Sequence, residues 1–430
     1  MLRRTFLRSA GVGGSPIKHV LTGAVSQSLI AKEDAFSAHN YHPLPVVFAT
    51  AKGCTVTDPE GRSYLDLMSG YGAVNQGHLH PRIVKAAEQQ LKRCSLSCRA
   101  FHNDQFPLFA EKICTIFGYD KVLPMNTGAE AVETAVKLAK RYGYEKKGIA
   151  AGQAKVICMT GNFHGRTHLC ISLSEDPDSY ANYEPLVPGI IRVPYGDATA
   201  LRNALEMNRG LVCGVIAEPV QGEAGVVFPP DGFLRQLRDL CTEFGALWID
   251  DEIQSGLGRT GYLIAAQHEN VRPDIVVLAK ALGGGIVPIS CVLADRHIMD
   301  VFTPGTHGST FGGNPMACHV AMAALDVLVE EKLSARAVET GKTFTSELRS
   351  FQALFPSHVS AVRSRGLWGA IDFHDKDIAT QLMYRAAEKG VLCKTTHATT
   401  LRLAPPLVIS VPELQAAFKA LQAGLAELTQ

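Results

Sequence analysis

From about Phe101 onward, short β-branched and aliphatic runs at 156–159, 212–217, 246–249 and 275–279 alternate with stretches of helical periodicity. Strands separated by helices cannot pair as tight hairpins. They must cross over, which makes a mainly parallel sheet with helices on its faces, an α/β fold. Each run also stops at polar or ionisable groups: Thr160, Glu218, Asp250 with Asp251, and Lys280. Ligands of open α/β sheets collect at the carboxyl ends of strands, so several strands deliver reactive groups to one edge.

After Pro315 the pattern is helical over 316–331, alternates again through 359–373 and 401–409, and closes with a helix over 412–428. This predicts a smaller C-terminal α/β domain. Upstream, Pro59 and Gly61 bracket a hairpin turn at 58–61. The expected organisation is a leader at 1–32, an N-terminal segment at 33–66, a large domain at 67–314 and the small domain at 315–430. The leader carries Arg3, Arg4, Arg8, Lys18 and Lys32 with no acid before Glu33, the composition of a mitochondrial transit peptide. That points to the mitochondrial matrix; an ordinary loose arm on a cytoplasmic protein is the alternative.

Several classes are excluded or disfavoured. Lys and Arg total 42 against 41 Asp and Glu, which leaves no electrostatic footprint for nucleic acid or an anionic membrane. The apolar stretch 276–294 contains Lys280, Gly283, Gly284, Gly285 and Pro288, so it reads as a buried strand followed by a turn, not a membrane helix. Eleven cysteines without a CxxC pair read as reduced thiols, and no metal is expected.

Lys280 lies between an apolar strand and the run Ala281-Leu-Gly-Gly-Gly285, where burial disfavours the ammonium form. A lysine of lowered proton affinity is what Schiff-base chemistry with an aldehyde requires. Asp251 ends the preceding strand, and a buried carboxylate needs a positive partner to stay ionised. A pyridinium nitrogen is such a partner; at ~4 Å and an effective dielectric of ~20 the attraction is about 4 kcal/mol. Asp250 is the alternative, but side chains alternate along a strand, so one of the two should face the ring. In Pro124-Met-Asn-Thr-Gly-Ala129 an apolar run leads into a helix, with Thr127 and Glu130 at capping-box spacing. Its free amides, with Gly128 allowing close approach, suit a phosphate. His307-Gly-Ser-Thr-Phe-Gly-Gly313 is a second glycine-rich piece of the same kind.

Together Asn126-Thr-Gly-Ala-Glu-Ala131, Glu218-Pro-Val-Gln-Gly-Glu223, Asp251-Glu-Ile-Gln254, Gly258-Arg-Thr-Gly261 and Lys280 with its glycines resemble the class III aminotransferases among fold-type I pyridoxal-phosphate enzymes. The resemblance runs from about Ala38 to the C-terminus. It implies that the cofactor is pyridoxal 5′-phosphate, with Lys280 as Schiff-base lysine and proton shuttle, Asp251 as pyridinium partner, Gln254 near the ring hydroxyl and Phe163 stacked on the ring. Gly128 and Ala129 resemble phosphate-binding amides. Ser309 and Thr310 resemble residues that reach the phosphate in the neighbouring subunit, so a homodimer with shared active sites is implied.

Within the family, Ala38-His-Asn-Tyr-His-Pro-Leu-Pro45, Tyr71-Gly-Ala-Val-Asn-Gln-Gly-His78 and Ala404-Pro-Pro-Leu-Val-Ile409 are similar to the branch that acts on ornithine. That likeness implies transfer of the δ-amino group of L-ornithine to 2-oxoglutarate. Tyr41 and Arg166 would hold the α-amino and α-carboxylate groups, with Tyr71 at the entrance and Glu223 and Arg402 as a switch pair. A bidentate arginine suits each carboxylate. His164, Gly258 and Gly72 depart from the animal members of that branch, and the first two resemble acetylornithine enzymes. Acetylornithine and 4-aminobutyrate therefore stand as alternative donors.

Overall fold

The computed structural model describes residues 22–429, so most of the expected leader lies outside the described residues. Strands β1 (Thr50–Lys52), β2 (Thr55–Thr57) and β3 (Ser63–Asp66) form an antiparallel meander. The predicted hairpin joins β2 to β3. Asp58 fixes it, its Oδ1 accepting from the amides of Glu60 at 3.0 Å and Arg62 at 2.8 Å, which is how an aspartate stands in for backbone in a turn.

The central sheet contains β4 (Lys121–Met125), β5 (Lys155–Met159), β6 (Ile190–Val193), β7 (Val212–Ala217), β8 (Leu247–Asp251), β9 (Ile275–Leu278) and β10 (Ser290–Ala294). Their order is β4-β10-β9-β8-β7-β5-β6, parallel except that β10 runs against both neighbours. The apolar stretch 276–294 thus holds two strands, where the sequence reading had one followed by a turn. β10 returns by a short local path and not through a crossover helix, and its Ser-Cys-Val-Leu-Ala run merges with the apolar residues before it.

On β8 the faces separate as the pleat demands. Trp248 packs with Val276 and Leu278 on one side, while Ile249 packs with Ile275, Val277 and residues of the helix Gly128–Glu145 on the other. Asp250 therefore shares the Trp248 face and Asp251 the Ile249 face. Among the described residues no helix is long and apolar enough to cross a membrane.

The C-terminal part contributes β11 (Val359–Arg365), β12 (Trp368–Phe373), β13 (Val391–Leu392), β14 (Lys394–Thr396) and β15 (Thr400–Leu403). Four of them make an antiparallel sheet, β11-β12-β15-β14. β13 leaves it to pair in parallel with β3, so N- and C-terminal segments share one sheet. The strand expected at 401–409 stops at Leu403, since Pro405 and Pro406 have no N–H for a ladder. The closing helix Val411–Leu428 starts in a capping box between Ser410 and Glu413.

Candidate active site

At the carboxyl edge of the central sheet lies a cavity of about 500 Å³ lined by Lys280, Asp251, Gln254, Glu218, Phe163, His164, Gly128 and Ala129 among others. Lys280 opens a short 3-10 turn directly after β9 and sits at φ +47°, an uncommon conformation for a side-chain-bearing residue. The glycines that follow are required by packing. A Cβ on Gly284 would lie 2.8 Å from Ile83 and one on Gly285 2.4 Å from Val74. Burial pulls the Lys280 amine down to about 8; Glu223, Asp251 and Glu218 oppose this, and Arg402 adds to it.

Asp251 faces the cavity, as one member of the Asp250–Asp251 pair had to. Its Oδ2 lies 2.7 Å from His164 Nδ1, and its Oδ1 accepts from the Ile253 amide at 3.1 Å. Burial alone would lower the proton affinity of His164, but its bond to Asp251 and the charge of that carboxylate outweigh it and raise the histidine. Asp250 lies fully buried on the opposite face, and burial, then the charge of Glu252 and a hydrogen bond to it, push Asp250 far above the ordinary carboxylate range. Glu218 accepts from the amides of Phe163 at 2.9 Å and Gly222 at 3.3 Å. Burial pushes it up to about 7; Asp251 adds to the rise, while the charge of His164 and the two amides oppose it.

His164 is the group sequence reasoning did not bring into the site; Glu218 was expected at this edge but without a role of its own. His164 had registered only as a departure from relatives. The signal that would have found it is the need of a buried aspartate for a donor.

At the other end of the cavity the helix Gly128–Glu145 begins with a complete capping box. Thr127 Oγ1 accepts from the Glu130 amide at 3.2 Å, and Glu130 Oε2 accepts from the Thr127 amide at 2.7 Å. Gly128 and Ala129, at the positive end of this helix, line the cavity. A Cβ on Gly165 would lie 2.9 Å from Ala129 Cβ, so glycine lets the Phe163-bearing loop close on the helix start. Ser309 and Thr310 are not in the cavity wall. Ser309 Oγ accepts from Asn126 Nδ2 at 2.9 Å, beside the helix start, and Thr310 is exposed.

Glu223 and Arg402 meet at the cavity's flank, Nη1 to Oε1 at 2.8 Å. Gln254 Nε2 donates to the same carboxylate at 3.2 Å, and the Arg402 guanidinium lies 4.8 Å from the centre of the Tyr71 ring. Arg402 is only 2% exposed. Tyr41 and Arg166 remain exposed without hydrogen bonds among the described residues; the Arg166 guanidinium sits 5.5 Å from the Phe163 ring centre.

These residues fit pyridoxal phosphate. The cavity offers a buried amine for an aldehyde, a carboxylate for a ring nitrogen and an aromatic face in Phe163. It also offers the start of a capped helix for a dianion. Gln254 Oε1 is buried without a partner.

The family model for aminotransferase class III matches residues 36–425. The mitochondrial ornithine aminotransferase of Arabidopsis thaliana is 50% identical over 400 residues, 92% of this chain and 84% of that one. The crystal structure of the ornithine aminotransferase from Toxoplasma gondii ME49 superposes with a TM-score of 0.92 at 40% identity, covering 96% of this chain and 97% of that one. The acetylornithine aminotransferase of Elizabethkingia anophelis gives a TM-score of 0.85 at 46% identity, covering 94% and 99%.

Proposed function

Because the chain belongs to the class III aminotransferases, which use pyridoxal phosphate, we propose that it transfers the δ-amino group of L-ornithine to 2-oxoglutarate, giving glutamate semialdehyde and glutamate. The observation that carries this reading is the Glu223–Arg402 pair held beside the Tyr71 ring at the flank of the Lys280 cavity. While Glu223 masks Arg402, the site offers no free arginine at that position, and ornithine enters with its δ-amine leading. Tyr41 and Arg166 hold its α-amino and α-carboxylate groups. When Glu223 swings away, Arg402 takes the α-carboxylate of 2-oxoglutarate and Arg166 the distal one.

When bound, the cofactor supplies an electron-withdrawing ring that stabilises the charge left as a proton leaves the carbon beside the amine. Asp251, held by His164 and the Ile253 amide, keeps the ring nitrogen protonated. Gln254 holds the ring hydroxyl, Phe163 covers the ring, and Gly128 and Ala129 hold the phosphate. Lys280 Nζ, whose proton affinity burial lowers to about 8, takes the proton from the δ-carbon.

A homodimer completes the site through Ser309 and Thr310 of the neighbouring copy. Supporting it, Asn103 Nδ2 binds the Gly313 carbonyl, so Phe101, 73% exposed, and Phe311, 54% exposed, stand on adjoining segments beside Thr310. The basic leader and the mitochondrial naming of the Arabidopsis relative favour the mitochondrial matrix. The likeness to the acetylornithine enzyme, together with His164, supports acetylornithine as the second reading.

Steady-state assays with 2-oxoglutarate and ornithine, acetylornithine or 4-aminobutyrate test the assignment. Ornithine should give the highest kcat/KM, by roughly tenfold or more; a higher value for either competitor overturns it. Turnover of ornithine without consumption of 2-oxoglutarate would instead indicate a decarboxylase or racemase.

A further inference from the structure

Arg259 is fully buried and bound entirely to neutral groups. Its Nη1 donates to the carbonyls of Leu367 at 2.9 Å and Pro405 at 2.5 Å, and its Nη2 to Asn75 Oδ1 at 2.5 Å and Ser69 Oγ at 3.4 Å. Among the described residues no carboxylate lies within ion-pair distance of it. Asp66, the acid whose charge it feels, is engaged by the amides of Met68 and Ser69 and by His78. An unpaired buried cation is costly, so its position calls for a reason.

Two of the segments Arg259 grips lead to the carboxylate-binding end of the site. One is 69–72, where Ser69, Gly70, Tyr71 and Gly72 take φ of +46°, +56°, +60° and +84°, a left-handed turn closed by the Ala73 amide on the Ser69 carbonyl at 2.8 Å. Left-handed helical geometry crowds the Cβ against the following carbonyl, so Ser69 and Tyr71 need support from outside the turn. Ser69 Oγ gains it from Arg259 and from the Ala404 carbonyl. The other segment is 402–405, which follows directly from Arg402 at the end of β15. Arg259 thus ties together the two chains whose side chains, Tyr71 and Arg402, stack at 4.8 Å. The two guanidinium groups also feel each other: burial chiefly, and Arg402 against the pull of Asp66, bring Arg259 down to about 9.

We infer that Arg259 is a positioning residue for the dicarboxylate half of the cycle, holding the Tyr71 turn against Arg402 and adding behind it a positive charge that no carboxylate pairs with directly. With Glu223 in place, Arg402 has a carboxylate partner and Arg259 stands behind it with none in direct contact. Once Glu223 withdraws, the pocket carries an excess positive charge that favours an incoming carboxylate. This rests on the switch reading of Glu223 and Arg402 given above.

The decisive variant is Asn75→Asp, which offers Arg259 an ionic partner where the amide oxygen now sits. In the holoenzyme, the KM for 2-oxoglutarate and the Kd for glutarate by calorimetry should rise together, about five- to tenfold, while the KM for ornithine moves less than about twofold. Unchanged glutarate binding, or an equal rise in both substrates' KM, overturns the inference. If this variant does not fold, Arg259→Lys and Arg259→Gln decide. Compared at about pH 6, where a lysine buried at this position keeps its charge, the lysine variant should hold the KM for 2-oxoglutarate within about threefold and the glutamine should raise it at least about fivefold, whereas equal effects overturn the inference. A wild-type enzyme that rejects ornithine but binds glutarate in the charge-dependent way described would sink the substrate assignment and leave this inference standing.

Discussion

Lys280 reached the end of β9 as an apolar strand's last polar neighbour, and that placement is enough to lower its proton affinity. With the amine brought down to about 8 by burial, the cofactor-free enzyme should recapture pyridoxal phosphate faster as pH rises, with a midpoint near 8; stopped-flow fluorescence reads this, and a midpoint above ~10 would mean a solvated lysine. Lys280→Ala should abolish transamination. Burial shifts Glu218 upward, the opposite of what a charge partner does to a surface acid. Its folded value of about 7 lies above the ordinary glutamate value of 4.5, so the native state holds the proton that the unfolded state releases between those limits. The stability this confers is complete below the lower value and is lost as pH rises through the upper one. Glu218→Gln, permanently in the uncharged form, should therefore gain on wild type by on the order of 2 kcal/mol between pH 5 and pH 8, followed as the difference in Tm of the cofactor-free proteins. A difference that stays flat with pH would show Glu218 ionised throughout. The placement of Lys280, and of one acid of the Asp250–Asp251 pair, at the site was open to a reading of sequence because each ends an apolar run. The pairing of His164 with Asp251 was not, since 87 residues separate them and only the sheet brings the loop after β5 against the end of β8.

Local chemistry governs the elements that could be read correctly. The spacing of Thr127 and Glu130 announced a capping box, and both of its bonds are present at the start of the helix Gly128–Glu145. Thr127→Ala should cost about 1 kcal/mol of stability in urea unfolding and weaken cofactor affinity several-fold, because the first turn that presents the Gly128 and Ala129 amides would fray. Loss of stability with unchanged cofactor affinity would separate the cap from the phosphate site. The elements that escaped notice are those set by distant partners. β10 was hidden in a continuous apolar stretch and is defined only by pairing with β4 and β9. The left-handed turn at 69–72 has no pattern signature beyond its two glycines, and its support comes from Arg259 and Ala404, far along the chain.

At the scale of the molecule, the proposed sharing of sites between two copies has a direct consequence. If Thr310 serves the neighbour's phosphate, two inactive variants, Lys280→Ala and a Thr310 substitution that abolishes activity, should form hybrids in which one site is wholly native. Coexpression of the pair should restore about a quarter of wild-type activity, measured on the purified mixture, and no recovery would argue for sites built from one chain. Sequence alone determined the α/β architecture, the capped helix and the edge to which Lys280, Asp251 and Glu218 are delivered, because periodicity, caps and strand ends are short-range properties of the chain. It also placed the smaller C-terminal domain, though not its antiparallel sheet. Only the tertiary structure decided which of Asp250 and Asp251 faces the cavity, joined β13 to β3, and set Arg402 against Glu223 and Tyr71. These contacts join segments up to several hundred residues apart, and they are settled by burial and hydrogen bonding in the packed chain, which no local pattern encodes.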